Sequence, residues 1–355
     1  MDPLAHTLVG AALAEAGLKR LSRYATATLL IGANLPDIDV IANLWGHDTA
    51  LYFRRGWSHG IIAFIVLPIL LATVMWLWHR WRGQSSSETP RFRLGAVIAL
   101  SFLAVLSHPL LDWLNTYGVR LLMPFDDRWF YGDTLFIVDP WLWLLAAAGV
   151  VLARSGNYPA IVGWILLAAV ATILILSTSF IPFAVKLIWF GALAAIVVLR
   201  WQKRSQARNQ TIARASAATL IIYVCSVYGM ARTAESIAAL GFAAPLEAQS
   251  NPVPGVPFSH RVVLVYDTVY RVIAANGEVY EIPREKPDRI VQAALESDSI
   301  RGFVNWMRFP YWKVEETPNS WIVRFWDLRY QGPDVPQSGI GFAQVEVPKN
   351  RNRDR

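Results

Sequence analysis

Histidine and aspartate recur through the first 140 residues in otherwise apolar company. The set is His6 in Asp-Pro-Leu-Ala-His-Thr, Asp37 and Asp39 in Asn-Leu-Pro-Asp-Ile-Asp, and His59 in Arg-Arg-Gly-Trp-Ser-His-Gly. It continues with His108 and Asp112 in His-Pro-Leu-Leu-Asp-Trp-Leu-Asn, and Asp139 in Val-Asp-Pro-Trp. Imidazole with carboxylate is the donor chemistry of Zn²⁺, Mn²⁺ or Fe²⁺. His108 and Asp112 are four apart, so on a helix they share a face, and Asn115, at seven, shares it too. Pro109 lies between them and could kink that helix. Such a set could hold one ion or a pair. A hydrolytic centre would leave a position open for water, whose pKa the metal lowers.

Each residue also has a plainer reading. An Asp after Pro36 is a common helix N-cap, as is Asp139 before Pro140. A lone His108 could be a satisfied polar residue within an apolar helix. Arg54 and Arg55 could hold a substrate phosphate or anchor to lipid headgroups. His47, His79 and His260 fit no cluster and read as surface residues. Asp126, Asp127 and Asp133 read as solvated loop residues. There is no HExxH, GxSxG, Walker loop or Rossmann glycine pattern, and no nucleic-acid motif.

The elements that must position this set are membrane helices. The 355 residues are 54% apolar and only 17% charged, with a mean hydropathy of +0.34 and one Cys. That composition excludes a disordered chain and a disulfide scaffold, and argues against a purely soluble enzyme. Residues 155–185 contain no charged residue at all. A helix needs about 20 apolar residues to cross hydrocarbon. Six spans are expected, at 60–79, 94–113, 137–153, 160–180, 183–200 and 215–233. Two shorter apolar pieces, 4–17 and 24–36, could each be a short span or a dipping helix. The start lacks the basic n-region of a cleaved signal peptide.

Charge sets the expected orientation. Residues 1–233 hold 19 Lys and Arg against 11 Asp and Glu, whereas residues 234–355 hold 14 against 15. The loops 80–93 and 200–214 carry the basic clusters and are expected inside. His59, His108, Asp112 and Asp139 then fall at outer ends of their spans. If the two short pieces cross, His6 and Asp37 join them. Ionisable groups in such positions are functional candidates by default.

Beyond residue 233 the pattern changes. Residues 237–257, rich in Pro, Ala and Gly, read as a linker. The Val- and Tyr-rich run 261–270 reads as strand, Asn276-Gly277 as a hairpin turn, 287–295 as helix, and Pro318-Asn319-Ser320 as a second hairpin. The expected architecture is an all-α polytopic membrane bundle followed by a small α+β extracytoplasmic domain. Residues 1–236 form the bundle, 258–348 the outer domain and 349–355 a charged tail.

The residues also carry a family likeness. His6-Thr7, Pro36-Asp37-Ile38-Asp39, Arg55-Gly-Trp-Ser-His59, His108-Pro-Leu-Leu-Asp112, Asn115-Thr-Tyr-Gly118, Pro124-Phe125 and Asp139-Pro140 occur in that order. In these motifs the chain resembles the inner-membrane, metal-dependent hydrolase family that includes the YdjM and YfhP proteins, over roughly residues 1–200. Some members are described as LexA-binding. The resemblance implies a multi-pass bacterial inner (plasma) membrane protein with a hydrolase's metal site. A looser likeness is to zinc-dependent phospholipase C sites, which carry further His and Glu ligands that are not found here.

The expected function is a membrane-embedded, metal-dependent hydrolase acting on a phosphoester or lipid-like substrate at the outer face. His6, Asp37, Asp39, His59, His108, Asp112 and Asp139 are the candidate ligands of a divalent metal, Zn²⁺ or Mn²⁺. Asp39 could instead be the general base, with Asn115 and Arg55 orienting substrate. Membrane lipids and a small-molecule or lipid substrate are the expected partners, with no nucleic acid. The competing expectation is a non-enzymatic membrane protein, sensing metal or making interactions, whose outer domain is the functional part.

Overall fold

The computed structural model describes residues 1–83, 90–177, 181–202, 206–330 and 339–349. Its contacts divide the chain into two units. The first takes 1–38, 55–231 and 252–259, and the second takes 39–54, 232–251 and 260–355.

The first unit is helical. Helices α1 (Pro3–Glu15) and α2 (Ala25–Gly32) precede a 3-10 stretch, Leu35–Trp45, that carries Asp37 and crosses into the second unit. Helix α3 (His47–Phe53) belongs to the second unit. The chain then returns through a 3-10 turn, Trp57–His59, to α4 (Ala63–Arg82), α5 (Leu94–Trp113), α6 (Pro140–Arg154), α7 (Tyr158–Ser177) and α8 (Phe183–Trp201). Helix α9 (Gln206–Leu240) runs on until its last turns join the second unit.

Among the described residues, six helical stretches are long and apolar enough to cross a membrane: Ala25–Trp45, Ala63–Arg82, Leu94–Trp113, Tyr158–Ser177, Phe183–Trp201 and Arg208–Leu240. This is a multi-pass membrane protein. The set differs from the expected one in two places. The short piece at 24–36 extends to Trp45 and becomes long enough, whereas the run at 137–153 becomes a 15-residue helix, α6. At 1.5 Å per residue α6 is about 22 Å long, short of the roughly 30 Å hydrocarbon layer. Asp139 fixes its start, accepting from the backbone N–H groups of Trp141 and Leu142 at 2.8 and 3.0 Å. Nine of its residues are buried. It is apolar because protein surrounds it.

The helices approach closely where their residues are small. α2 lies on α5 through Gly32, where a Cβ would stand 2.6 Å from the Ala104 Cβ. α1 lies on α2 through Gly10, which faces the Leu29 carbonyl. These contacts bring together the segments bearing His6, Asp37 and His108.

The second unit contains two sheets. One has the order β1 (Glu247–Pro252), β2 (His260–Val265), β3 (Val269–Ile273), β4 (Val279–Pro283), with β2–β3 and β3–β4 antiparallel. The other, β5 (Pro310–Glu316), β6 (Ser320–Asp327), β7 (Phe342–Pro348), is antiparallel throughout. Between the sheets come α10 (Arg289–Leu295), capped by Asp288, and α11 (Arg301–Trp306). Asn276-Gly277 makes the β3–β4 turn, with Gly277 at φ +87°. Strand β1 falls within the stretch read as linker. Its buried residues Gln249, Ser250 and Asn251 are polar, so no apolar alternation marks it. Helix α3 packs on α11. Asp48 accepts from the N–H groups of Gly302 and Phe303 at 2.9 and 3.0 Å, and a Cβ on Gly302 would meet the Asp48 carbonyl. Asp327 and Arg329 form a buried pair at 2.7 Å. Burial alone would raise the Asp327 carboxyl, but the Arg329 charge and hydrogen bonds hold it below its ordinary range.

His260, read as a surface residue, is half-buried, and its Nε2 makes no hydrogen bond. Burial, with the Arg232 charge, pushes it down from 6.5 to about 4.

Two expectations follow. Gly32→Val forces α2 off α5 and costs about 1–3 kcal/mol. It would lower the melting temperature of the full chain in detergent, and an unchanged value would refute the contact. Between pH 6.5 and 4 the unfolded chain binds a proton that folded His260 does not. Its contribution to stability is thus complete above pH 6.5 and falls as pH drops toward 4. Denaturant titrations at several pH values should show this slope reduced in His260→Gln.

Candidate metal centre

Three segments of the first unit converge on one point. Asp37 comes from the 3-10 stretch after α2, His59 from the turn before α4, and His108 and Asp112 from α5. One donor atom from each of these four buried residues lies within 4.8 Å of all the others. Helix α5 runs unbroken through Pro109, so the four-residue spacing holds, with His108 Nε2 3.5 Å from Asp112 Oδ2. His59 Nε2 lies 3.1 Å from His108 Nε2 and 3.2 Å from Asp112 Oδ2. Asp37 Oδ1 lies 3.7 Å from His108 Nε2.

These separations fit a cation. Donors about 2.0–2.1 Å from a tetrahedral Zn²⁺ are about 3.3 Å apart. The tautomer fits as well. The Ala33 carbonyl accepts from His108 Nδ1 at 2.7 Å, which places the proton there and leaves the Nε2 lone pair facing the cluster. Ser58 Oγ meets His59 Nδ1 at 3.0 Å. Asp112 Oδ2, fully buried, faces His59 Nε2 and His108 Nε2, and the latter has its proton on the other ring nitrogen. A buried carboxylate oxygen without a donor is costly unless something cationic faces it.

The other carboxylate oxygen of Asp112 is held by the protein. Oδ1 is 2.9 Å from Arg55 Nη2 and 3.3 Å from His6 Nε2, and it contacts the α-amino group of Met1. Arg55 is buried. Its Nη1 donates to Asn115 Oδ1 at 3.0 Å and to the Gly118 carbonyl at 3.1 Å, and its guanidinium lies 4.4 Å from the Tyr117 ring centre. Its backbone is left-handed, with φ +52°. For a non-glycine residue this costs of order 1–3 kcal/mol, and the side chain's contacts offset it. The group is engaged with Asp112, Asn115 and Tyr117.

The expected residues thus divide. Asp37, His59, His108 and Asp112 come together. His6 adjoins them, stacked on His108 with ring centres 3.7 Å apart, and its ring nitrogens make no hydrogen bond. Asn115 and Arg55 stand behind Asp112. Asp39 and Asp139 are not in the group. Asp39 lies 3.8 Å from Arg54 Nε. Asp139 caps α6 and accepts the Tyr223 hydroxyl at 2.9 Å. Asp133, read as solvated, is buried. The Ala33 carbonyl gave no sequence signal, being backbone. Ser58 and Tyr117 lie inside the Arg-Gly-Trp-Ser-His and Asn-Thr-Tyr-Gly motifs, where sequence alone gives them no role.

Residues 1–181 match the model of a family described as YdjM inner membrane protein. The chain belongs to this family. The matched region contains every residue of the cluster. A relative in Bacillus subtilis (strain 168), the "Uncharacterized protein YfhP", is 25% identical over 134 residues, which cover 37% of this chain and 37% of the relative. The chain therefore spans little more than a third of that relative's length. No solved structure matches.

Replacing the Arg55 fork with a single ammonium loosens Asp112. Arg55→Lys is expected to weaken metal binding roughly 10–100-fold, measured by competition with a chromophoric chelator. Equal affinity in a folded variant would exclude a role in holding the ligand.

Proposed function

We propose that this chain is a membrane-embedded hydrolase using a divalent metal, with a phosphoester or lipid-like substrate drawn from the outer face of the membrane. The observation that carries the reading is the convergence of two imidazoles and two carboxylates from three distant segments, all buried, around a space of cation size. Carboxylates and histidines at such depth are expensive unless they serve a function.

Asp37, His59, His108 and Asp112 would hold the ion, with His6 at its edge. When bound, a divalent cation supplies Lewis acidity toward a phosphoryl or acyl centre and acidifies water. The chain's own groups do the positioning. Ala33 orients His108, Ser58 contacts His59, and Arg55 turns Asp112 so that Oδ2 faces the cluster. Asp37 is 8% exposed while the other three are fully buried, so substrate would enter on its side. The outer-face assignment rests on the basic loop 80–93, taken as inside, since α4 ends and α5 begins there and His59, His108 and Asp112 lie at the opposite ends of those helices.

The complete burial of His59, His108 and Asp112 also favours a second reading, a metal held for structure or sensing in a non-enzymatic protein. The two readings part experimentally. Purified wild-type protein is expected to retain Zn²⁺ or Mn²⁺ by elemental analysis, while His108→Ala and Asp112→Asn lose it. A well-folded wild type without metal would end both readings. Turnover on a panel of phosphoesters and phospholipids, abolished in Asp112→Asn, supports the hydrolase. Bound metal without any turnover, with a melting temperature that falls on chelation, supports the structural role.

A further inference from the structure

A second feature of the helical unit lies away from the His and Asp cluster. Helices α6, α7 and α8 enclose a groove of about 510 Å³, lined almost wholly by apolar side chains. This volume suits a ligand rather than a packing defect. The floor is Trp189, which is 1% exposed and fixed by its indole N–H donating to Thr172 Oγ1 at 3.0 Å. The mouth is Arg200, with Ser155 and Trp201 beside it.

Length defines what fits. Trp189 and Arg200 stand eleven steps apart along α8. At 1.5 Å each this is about 16 Å, close to half of the roughly 30 Å hydrocarbon thickness. The groove therefore spans one leaflet and stops at mid-membrane. A transmembrane helix from a partner or a second copy would run past the Trp189 floor. An acyl chain ends there.

Charge defines the headgroup. Arg200 is exposed and sits at the last turn of a candidate span. Its Nε donates to Ser155 Oγ and its Nη2 to the Ser155 carbonyl, both at 2.5 Å. These two bonds fix the guanidinium across the mouth, and its planar fork carries five N–H donors in all. Arg154, one residue before Ser155, is paired with the buried Glu15 at 2.6 Å, so Arg200 is the cation offered to the headgroup. Trp201, 79% exposed, suits the headgroup level.

We propose that this groove is a binding site for one anionic phospholipid, its acyl chain between α6, α7 and α8 and its phosphate on Arg200.

The test uses the full chain in detergent, titrated with dioleoylphosphatidylglycerol or dioleoylphosphatidylcholine and read by native mass spectrometry. Wild type is expected to hold one phosphatidylglycerol about ten times more tightly than phosphatidylcholine. Arg200→Gln should bring that ratio close to one, whereas Arg80→Gln, at the end of α4, should leave it unchanged. Ala168→Phe, which fills the groove, should remove the bound lipid while elution volume and melting temperature stay those of wild type. If that variant does not fold, the Arg200→Gln ratio decides alone. Equal binding of both lipids by wild type, or an equal loss in Arg80→Gln, overturns the proposal. So does a folded Ala168→Phe that still holds the lipid, or one that loses only an oligomer, which would assign the groove to a protein contact.

Discussion

Two carboxylates packed among imidazoles inside an apolar helical bundle set the terms for the rest of the first unit. Burying such charge away from water is tolerated only where opposite charge and hydrogen bonds face it. Arg55 supplies part of that compensation from one side of Asp112. The geometry of His59, His108 and Asp37 prepares a place for the remainder on the other side. Much of the local structure follows from this arrangement. The left-handed backbone at Arg55, the loop carrying Asn115 and Gly118, and the aromatic face of Tyr117 all serve to hold one guanidinium.

The same constraint explains the small residues between helices. Donors from three segments meet only if α2 and α5 approach closely, and Gly32 against Ala104 permits it. Packing density and site geometry are here one requirement. A methyl group added at that contact would be felt at Asp37, five residues on.

Much of the centre was legible because its chemistry is local in sequence. His108 and Asp112 share a helix face through simple periodicity, and Pro-Asp-Ile-Asp and Trp-Ser-His stand out against apolar surroundings. What the sequence left open were competitions between roles for one residue type. Asp139 reads equally as ligand or cap, and only the positions of Trp141, Leu142 and Tyr223 decide for the cap. Arg55 reads as holding phosphate, anchoring to lipid or orienting substrate, and its buried contacts with Asp112 and Asn115 are visible only in the fold. Helix α6 carries the hydropathy of a span because protein covers it on most sides. Strand β1 was invisible for the opposite reason. Its buried side chains satisfy one another, Asn251 Nδ2 donating to Gln249 Oε1 at 2.7 Å, and Glu235 Oε1 accepts the Ser250 N–H at 2.8 Å.

The grip of Asp48 on the start of α11 spans 254 residues of chain. Helix α3 lies within the family-matched region, and α11 lies far beyond it. During synthesis the 39–54 segment emerges well before α11 and must wait for the 254 residues from Asp48 to Gly302 before its partner exists. The segment is tethered at each end to a stretch that bears cluster residues, Asp37 before it and Arg55 and His59 after it. Biogenesis of this protein is thus completed late, by closure of a very long loop, and a ribosome stalled anywhere before residue 302 would leave that early segment without its cap.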